Sequence, residues 1–251
     1  MFSSSLFSRM AERINTYFVS DVHLGLQAFD PRGREERFVS FLRSIDNDRT
    51  DALYMLGDIW DFWYEWKSTV PKGYVDVFAA IRSLLSHGIK VYFCTGNHDI
   101  WAYSYFEELG MTRLPQPALV KVAGKTLCVG HGDGLGVRDP GYKVLRTVFH
   151  SRIAQILFSS LIHPTLAMAL GNAWSRHNRL ARGEKYVWKG KAEPLVAWCE
   201  NILQQRKVDG FVFGHYHVSV NEVLSDGTPL VILDSWIERD SVYCISQEAL
   251  S

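Results

Sequence analysis

Five short motifs along the chain combine Asp, His and Asn side chains with glycine. They are DxH at 21–23, GD at 57–58, GNHD at 96–99, GHGD at 130–133 and GHYH at 214–217. Carboxylates, imidazoles and amide oxygens are together the ligands of borderline divalent metals. Glycine beside such residues lets the backbone turn sharply and approach closely. The set therefore indicates a metal site assembled from five separate segments.

Each motif directly follows a short apolar run that predicts a buried strand. The runs are 17–20, 52–56, 90–95, 125–129 and 210–213. In layered α/β folds the loops beyond the strand ends converge on one crevice. We therefore expect the five motifs to meet at one edge of the fold.

The elements between these strands differ in the two halves of the chain. Apolar residues at helical spacing predict helices over 34–45 and 73–87, which gives the strand–helix alternation of βαβ units. In the second half, the runs 118–122 and 125–129 flank Gly124 and predict a hairpin. The later runs predict an antiparallel meander that closes the domain, with strands at 218–224, 229–233 and 241–245.

Each motif alone has an ordinary structural explanation. A single DxH or GD is usually a turn, and Asn97 is a suitable cap for a following helix. The occurrence of all five, in order and each at a strand end, favours the metal site over five unrelated turns.

The stretch 141–192 fits neither half of the pattern. It carries nine basic residues and one acidic residue, although the net charge of the whole chain is zero. Its centre, 153–175, has no formal charge but is interrupted by His163-Pro164 and several polar residues. This favours an interfacial or acyl-binding pair of helices over a membrane span, with an ordinary helical hairpin and a solvated basic face as the alternative.

Composition limits the other possibilities. A chain of 251 residues that is 47% hydrophobic suits one domain over 1–251, with 141–192 as an insertion within it. Zero net charge gives no indication of a nucleic acid partner, and no obligate protein partner is indicated. Four widely spaced cysteines favour a reduced, cytoplasmic protein, and residues 1–16 do not have the pattern of a secretory signal peptide.

The ordered motifs resemble those of the calcineurin-like metallophosphoesterase family from Tyr17 to His217. The resemblance implies an α/β fold, a two-sheet α/β/β/α sandwich, here with a helical cap insertion, and two divalent metal ions. Manganese is the first expectation for both ions, with iron or zinc as alternatives. By the family pattern, one ion takes Asp21, His23, Asp58 and His217; the other takes Asp58, Asn97, His131 and His215, so that Asp58 is shared.

The same resemblance assigns catalytic roles within GNHD. His98 would stabilise the transition state or protonate the leaving group, and Asp99 would orient the ring of His98. The alternative is that His98 merely begins a helix.

The stretch 57–63, GDIWDFW, resembles the aromatic-rich motif of the UDP-2,3-diacylglucosamine hydrolases. That resemblance implies a nucleotide-linked lipid substrate, cleavage of its diphosphate to UMP and a lipid monosaccharide phosphate in lipid A synthesis, and a basic helical cap that receives acyl chains. Tyr142 and Ser175 match substrate-contacting residues of that group, and Arg176 and Arg179 would meet anionic headgroups or the diphosphate. The chain departs from the best-known branch, which has arginine at the position of His98.

These resemblances imply a peripheral enzyme on the cytoplasmic face of a bacterial inner membrane. The alternatives are a metallophosphoesterase for another phosphoester and a non-catalytic scaffold with the same fold. Four aromatic residues after Asp58 would line an acyl or base pocket or, equally, pack in the core: Trp60, Trp63, Tyr64 and Trp66.

Overall fold

The computed structural model describes residues 13–136, 141, 147–149, 151–182 and 186–247, with the backbone alone at 172, 174 and 176–182. Within these residues the strands are β1 Asn15–Val19, β2 Thr50–Leu56, β3 Lys90–Cys94, β4 Thr112–Arg113, β5 Ala118–Val122, β6 Lys125–Gly130, β7 Gly210–Phe213, β8 Val220–Val223, β9 Pro229–Ile232 and β10 Tyr243–Ser246. The helices are α1 Pro31–Ser44, α2 Val75–Ser86, α3 Tyr105–Glu108, α4 Arg152–Leu161, α5 Pro164–Arg182 and α6 Pro194–Gln205, with a 3₁₀ turn at Gly190–Ala192.

The strands form two mixed five-stranded sheets. The first has the order β10-β1-β2-β3-β4 and the second the order β5-β6-β7-β9-β8. Strands β1, β2 and β3 run parallel to one another, as do β6, β7 and β9. Parallel strands end at the same edge of a sheet, so the loops that follow them lie side by side.

Three apolar layers stack the sheets and helices as an α/β/β/α sandwich. Alternate residues of a strand face opposite sides of its sheet, so Val19 packs toward α1 and α2 while Phe18 packs between the sheets. On the far side of the second sheet, Phe211 and Phe213 pack against Leu195 of α6. The fold class expected from the sequence is confirmed.

The predicted antiparallel meander at the end of the chain is partly wrong. Strands β8 and β9 do pair antiparallel, but β9 pairs with β7 in parallel. Strand β10 belongs to the first sheet instead, where it pairs antiparallel with β1 and places Tyr243 opposite Phe18. The periodicity that predicted these strands does not encode which strand pairs with which, because pairing depends on distant parts of the chain.

Helices α4 and α5 lie between β6 and β7 in the chain and pack on loops of the first sheet. The Tyr64 hydroxyl donates to the Gln155 carbonyl at 2.6 Å, and the Trp101 indole donates to the Phe149 carbonyl at 2.8 Å. Among the described residues no single helix is long and apolar enough to cross a membrane. The segments Arg152–Leu161 and Pro164–Gly171 meet that test together, but a bend of 118° separates them.

Candidate active site

The five predicted motifs meet at one edge of the sandwich. They occupy the loops after β1, β2, β3, β6 and β7, and backbone hydrogen bonds join these loops. The amide of Asp21 donates to the Gly57 carbonyl at 3.1 Å, and the amide of Gly214 donates to the His131 carbonyl at 2.9 Å. The convergence expected from the sequence therefore occurs.

One group of side chains comprises Asp21, His23 and His217. Asp21 Oδ1 lies 3.1 Å from His217 Nε2 and 3.7 Å from His23 Nε2, and the two Nε2 atoms are 3.1 Å apart. Asp21 and His23 are fully buried. Asp21 Oδ1 has no hydrogen-bond partner among the described residues, although Oδ2 accepts from the Ser20 hydroxyl and the His215 amide.

A second group comprises Asp58, Asn97, His131 and His215. His131 Nε2 lies 3.3 Å from each of three atoms: Asp58 Oδ2, Asn97 Oδ1 and His215 Nδ1. Asp58 Oδ2 also lies 3.9 Å from His23 Nε2 in the first group. Asp58 therefore lies between the two groups.

Nitrogen and oxygen donors converge here, and this arrangement fits divalent metal ions. Buried ring nitrogens that face each other, beside a buried carboxylate oxygen without a hydrogen bond, match the ligand preferences of borderline metals. Three sets of three side chains among the described residues bring donor atoms within 4.8 Å of one another: Asp21, His23 and His217; Asp21, Asp58 and His131; and His23, Asp61 and His98.

The carboxylates and imidazoles of the two groups shift one another's pKa values. Burial alone would raise the pKa of Asp58, but the surrounding imidazoles, His131 foremost, hold that pKa well below its ordinary value. Burial alone would lower the pKa of His131, but Asp58 and Asp21 raise it. Burial, then the charge of His131, lowers the pKa of His215 to about 4, so its ring is neutral and suited to bind a metal.

The backbone at this edge is strained at most of the candidate ligands. A positive φ is uncommon for residues other than glycine and costs of the order of 1 kcal/mol or more at each position. Such strain clusters at functional sites because the surrounding structure must maintain it. The candidate ligands with positive φ are Asp21 at 53°, His23 at 52°, Asp58 at 52°, His215 at 75° and His217 at 52°.

The ring of His98 lies at the edge of the two groups, but Asp99 does not orient it as expected. Asp99 instead accepts hydrogen bonds from the backbone amides of Gly96 at 2.6 Å and Ile59 at 2.9 Å. Its carboxylate thereby fixes the loops after β2 and β3 to each other. Burial and the charge of Asp58 raise its pKa to about 6.

The ring of His98 contacts Asp61 rather than the Asp99 carboxylate. His98 Nδ1 lies 2.8 Å from the Asp61 carbonyl oxygen, and Asp61 Oδ1 lies 3.2 Å from His23 Nδ1. Because a carbonyl can only accept, Nδ1 of His98 carries the hydrogen, and Nε2 is the ring nitrogen left to exchange a proton. The sequence signal for Asp61 was its position three residues after Asp58 in the same loop, which brings it back toward the site.

A cleft of about 1260 Å³ opens from the two groups of side chains. One wall is apolar and includes Phe62, Trp101, Phe158 and Leu170. Gly171 of α5 lies so close to the Phe62 ring that a Cβ at this position would overlap it. The helices thus form one wall of the cleft that candidate metal ligands such as Asp58 and His217 also line.

The aromatic stretch after Asp58 divides between core and cleft. Trp60 is buried and stacks on Phe106 with ring centroids 4.3 Å apart, which confirms the core alternative for this residue. Trp63 is also buried, but it reaches the cleft. Phe62, which belongs to the same stretch, and Trp101, which the sequence did not single out, line the cleft instead of Trp60.

The structure describes the four residues predicted to contact the substrate to different extents. Ser175 is 1% exposed, lines the cleft, and its Oγ has no hydrogen-bond partner within the described part of the chain. Arg176 and Arg179 lie on α5, where the structure describes their backbone alone. Tyr142 lies outside the described residues.

Comparison with known proteins identifies the family. The model of the calcineurin-like phosphoesterase family matches residues 14–219, which include all five motifs. The chain therefore belongs to this family and is a metal-dependent hydrolase, and the family implies a dinuclear site for divalent metals.

Curated relatives that match nearly the whole chain carry the name UDP-2,3-diacylglucosamine hydrolase. UDP-2,3-diacylglucosamine hydrolase of Porphyromonas gingivalis is 30% identical over 247 residues, which cover 91% of this chain and 93% of that protein. The protein of the same name from Salmonella arizonae is 30% identical over 93% of this chain and 95% of its own length. Among solved structures, a dimetal phosphatase from Danio rerio has a TM-score of 0.48 and 12% identity, covering 93% of this chain and 92% of that one.

Proposed function

We propose that the protein hydrolyses the diphosphate of UDP-2,3-diacylglucosamine to UMP and 2,3-diacylglucosamine 1-phosphate, a step of lipid A biosynthesis. The observation that carries this proposal is the joint placement of the metal-binding groups and an apolar wall in one cleft. A substrate with a diphosphate and two acyl chains needs both features. The curated relatives described above are named for this activity, and their similarity extends over nearly the whole chain.

The proposed ligands are those implied by the family pattern. Asp21, His23, Asp58 and His217 would hold one ion, and Asp58, Asn97, His131 and His215 the other. When bound, two divalent ions supply an acidified water as nucleophile and positive charge for the phosphoryl oxygens. We propose manganese, with iron or zinc as alternatives, because imidazole and carboxylate ligands suit all three.

His98 would move a proton at its Nε2 atom. Its Nδ1 hydrogen is held by the Asp61 carbonyl, so Nε2 of the protonated ring can donate to the leaving oxygen or to a phosphoryl oxygen. Asp99 acts at a distance by holding the loops that carry Asp58 and His98. The buried Ser175 hydroxyl is proposed to contact the substrate, as are Tyr142, Arg176 and Arg179.

We propose further that α4 and α5 seat the protein on the surface of a membrane, at the cytoplasmic face of the inner membrane. Large apolar side chains on these helices remain in water: Ile153, Ile156, Leu157, Leu161 and Leu166 are each more than half exposed. A patch of this kind is typical of a membrane or protein contact, and flanking Lys and Arg residues favour anionic lipid.

A product assay tests the reaction. Metal-loaded protein is incubated with UDP-2,3-diacylglucosamine, and release of UMP is expected. Cleavage of bis-p-nitrophenyl phosphate without release of UMP would overturn the proposed substrate and support a phosphodiesterase with another substrate. Reconstitution of chelated protein with Mn²⁺, Fe²⁺ or Zn²⁺ tests the metal, with the highest turnover expected for Mn²⁺.

Sedimentation with anionic vesicles tests the membrane contact. Binding is expected to weaken when Ile153 and Leu161 are changed to Asp, and when Arg176 and Arg179 are neutralised. The matched control is Val223→Asp, because Val223 is an exposed apolar residue on β8 in the second sheet. Absent binding by the parent protein would contradict the proposal.

A further inference from the structure

The cleft has a second wall, which does not involve the helices. Strands β1 and β3 lie on opposite sides of β2, so the loops that follow them lie on opposite sides of the site. The loop after β3 contacts the segment before α4 through Trp101 and Phe149. The loop after β9 lies beside the β1 loop, because the Trp236 amide donates to the Asp21 carbonyl at 3.0 Å. Residues of these two loops line the cleft: Phe29, Asp234, Ser235, Glu238 and Arg239.

Phe29 is held in water at this wall. Its side chain is 62% exposed and its backbone φ is 53°, a costly combination for a large apolar residue. Arg34, which is 1% exposed, maintains this loop by donating to the carbonyls of Ala28 at 2.6 Å and His23 at 2.8 Å. A buried arginine and a strained backbone thus hold an exposed aromatic side chain in the lining of the cleft that Asp58 and His217 also line.

The loop after β9 presents polar groups on the same wall. Arg239 Nη2 lies 2.8 Å from Asp234 Oδ2, while Asp234 Oδ1 accepts from the Ser235 amide. The Arg37 guanidinium donates to the Trp236 carbonyl at 3.0 Å and so supports the loop from α1. A guanidinium and a carboxylate that pair with each other therefore line the same cleft as Phe29.

We propose that Phe29, Asp234 and Arg239 form the subsite for the nucleoside of the substrate. A nucleoside offers a π face, base carbonyl oxygens that accept, and ribose hydroxyls that donate. Phe29 supplies a stacking surface, Arg239 donates and Asp234 accepts. This inference rests on the proposed function and adds a direction to it, because the apolar wall takes the acyl chains and the opposite wall takes the uridine.

Calorimetric titration of the metal-loaded protein with UMP and with inorganic phosphate tests the subsite. Both ligands reach the metal-binding groups, but UMP alone carries a nucleoside. Phe29→Ala is expected to weaken UMP binding at least about fivefold, since an aromatic side chain contributes that much or more to stacking on a base. Phosphate binding should stay unchanged, and Phe29→Trp should retain UMP affinity.

Arg239→Ala is expected to weaken UMP binding in the same selective way. The control is Val223→Ala, which removes an exposed apolar side chain outside the cleft. Unchanged UMP affinity in both Phe29→Ala and Arg239→Ala, or an equal loss for UMP and phosphate, would overturn the subsite. If UMP binds in a Phe29-dependent way but is not released from UDP-2,3-diacylglucosamine, the proposed function fails and the nucleoside subsite stands.

Discussion

Asp61→Ala should weaken metal binding, although Asp61 belongs to neither proposed ligand set. Its Oδ1 lies 3.2 Å from Nδ1 of His23. The other ring nitrogen of His23, Nε2, points at Asp21 and His217. A carboxylate at Nδ1 fixes the tautomer in which Nδ1 carries the hydrogen and Nε2 has a free lone pair. The same carboxylate raises the basicity of Nε2. Without it, the ring of His23 is free to carry its hydrogen on the wrong nitrogen.

The expected loss in metal affinity is about 10- to 100-fold, the usual range for such an outer carboxylate, or about 1.4 to 2.7 kcal/mol. Asp61 is 2% exposed and His23 fully buried, so salt should screen the contact little and the loss should persist at high ionic strength. Asp61→Asn keeps an acceptor oxygen without the charge and should give an intermediate loss.

Equilibrium dialysis against buffered Mn²⁺, followed by metal analysis, measures this effect. Asp51→Ala is the matched control, since Asp51 makes an exposed ion pair with Lys90 Nζ at 3.0 Å. At saturating metal, Asp61→Ala should retain much of its turnover, because the backbone carbonyl that holds His98 remains. Parent-like metal affinity in Asp61→Ala would refute the reasoning.

Three further changes separate chemistry, metal binding and folding. His98→Ala should lower turnover by about 10²- to 10⁴-fold with metal content retained, because it removes a proton donor; unchanged turnover at full metal content would rule out that role. Gly96→Ala should reduce metal content, because the new Cβ would overlap the Asp58 carboxylate; full metal occupancy in this variant would contradict the close packing. Trp60→Ala should lower the free energy of unfolding in urea by about 3 to 5 kcal/mol, since it empties a buried site stacked on Phe106; a loss below about 1 kcal/mol would mean that the site collapses.

The sequence predicted most of the local structure and the membership of the two groups. Motif residues such as Asp21 and His217 were recognisable because each follows an apolar run, and the end of a strand is a local property of the chain. The same local reasoning predicted that Asp99 would orient the ring of His98. Asp99 is next to His98 in sequence, yet its carboxylate is directed to the amides of Gly96 and Ile59 rather than to that ring.

The sequence alone specified the types of candidate ligand, their order along the chain and the strand–helix alternation. These properties depend on residue identity and on the short-range periodicity of apolar residues. Tertiary structure alone decided that β10 joins the first sheet and that the loop after β9 lies beside Asp21. It also decided that Phe62 lines the cleft while Trp60 is core. These outcomes depend on contacts between residues far apart in sequence, and no local pattern carries that information.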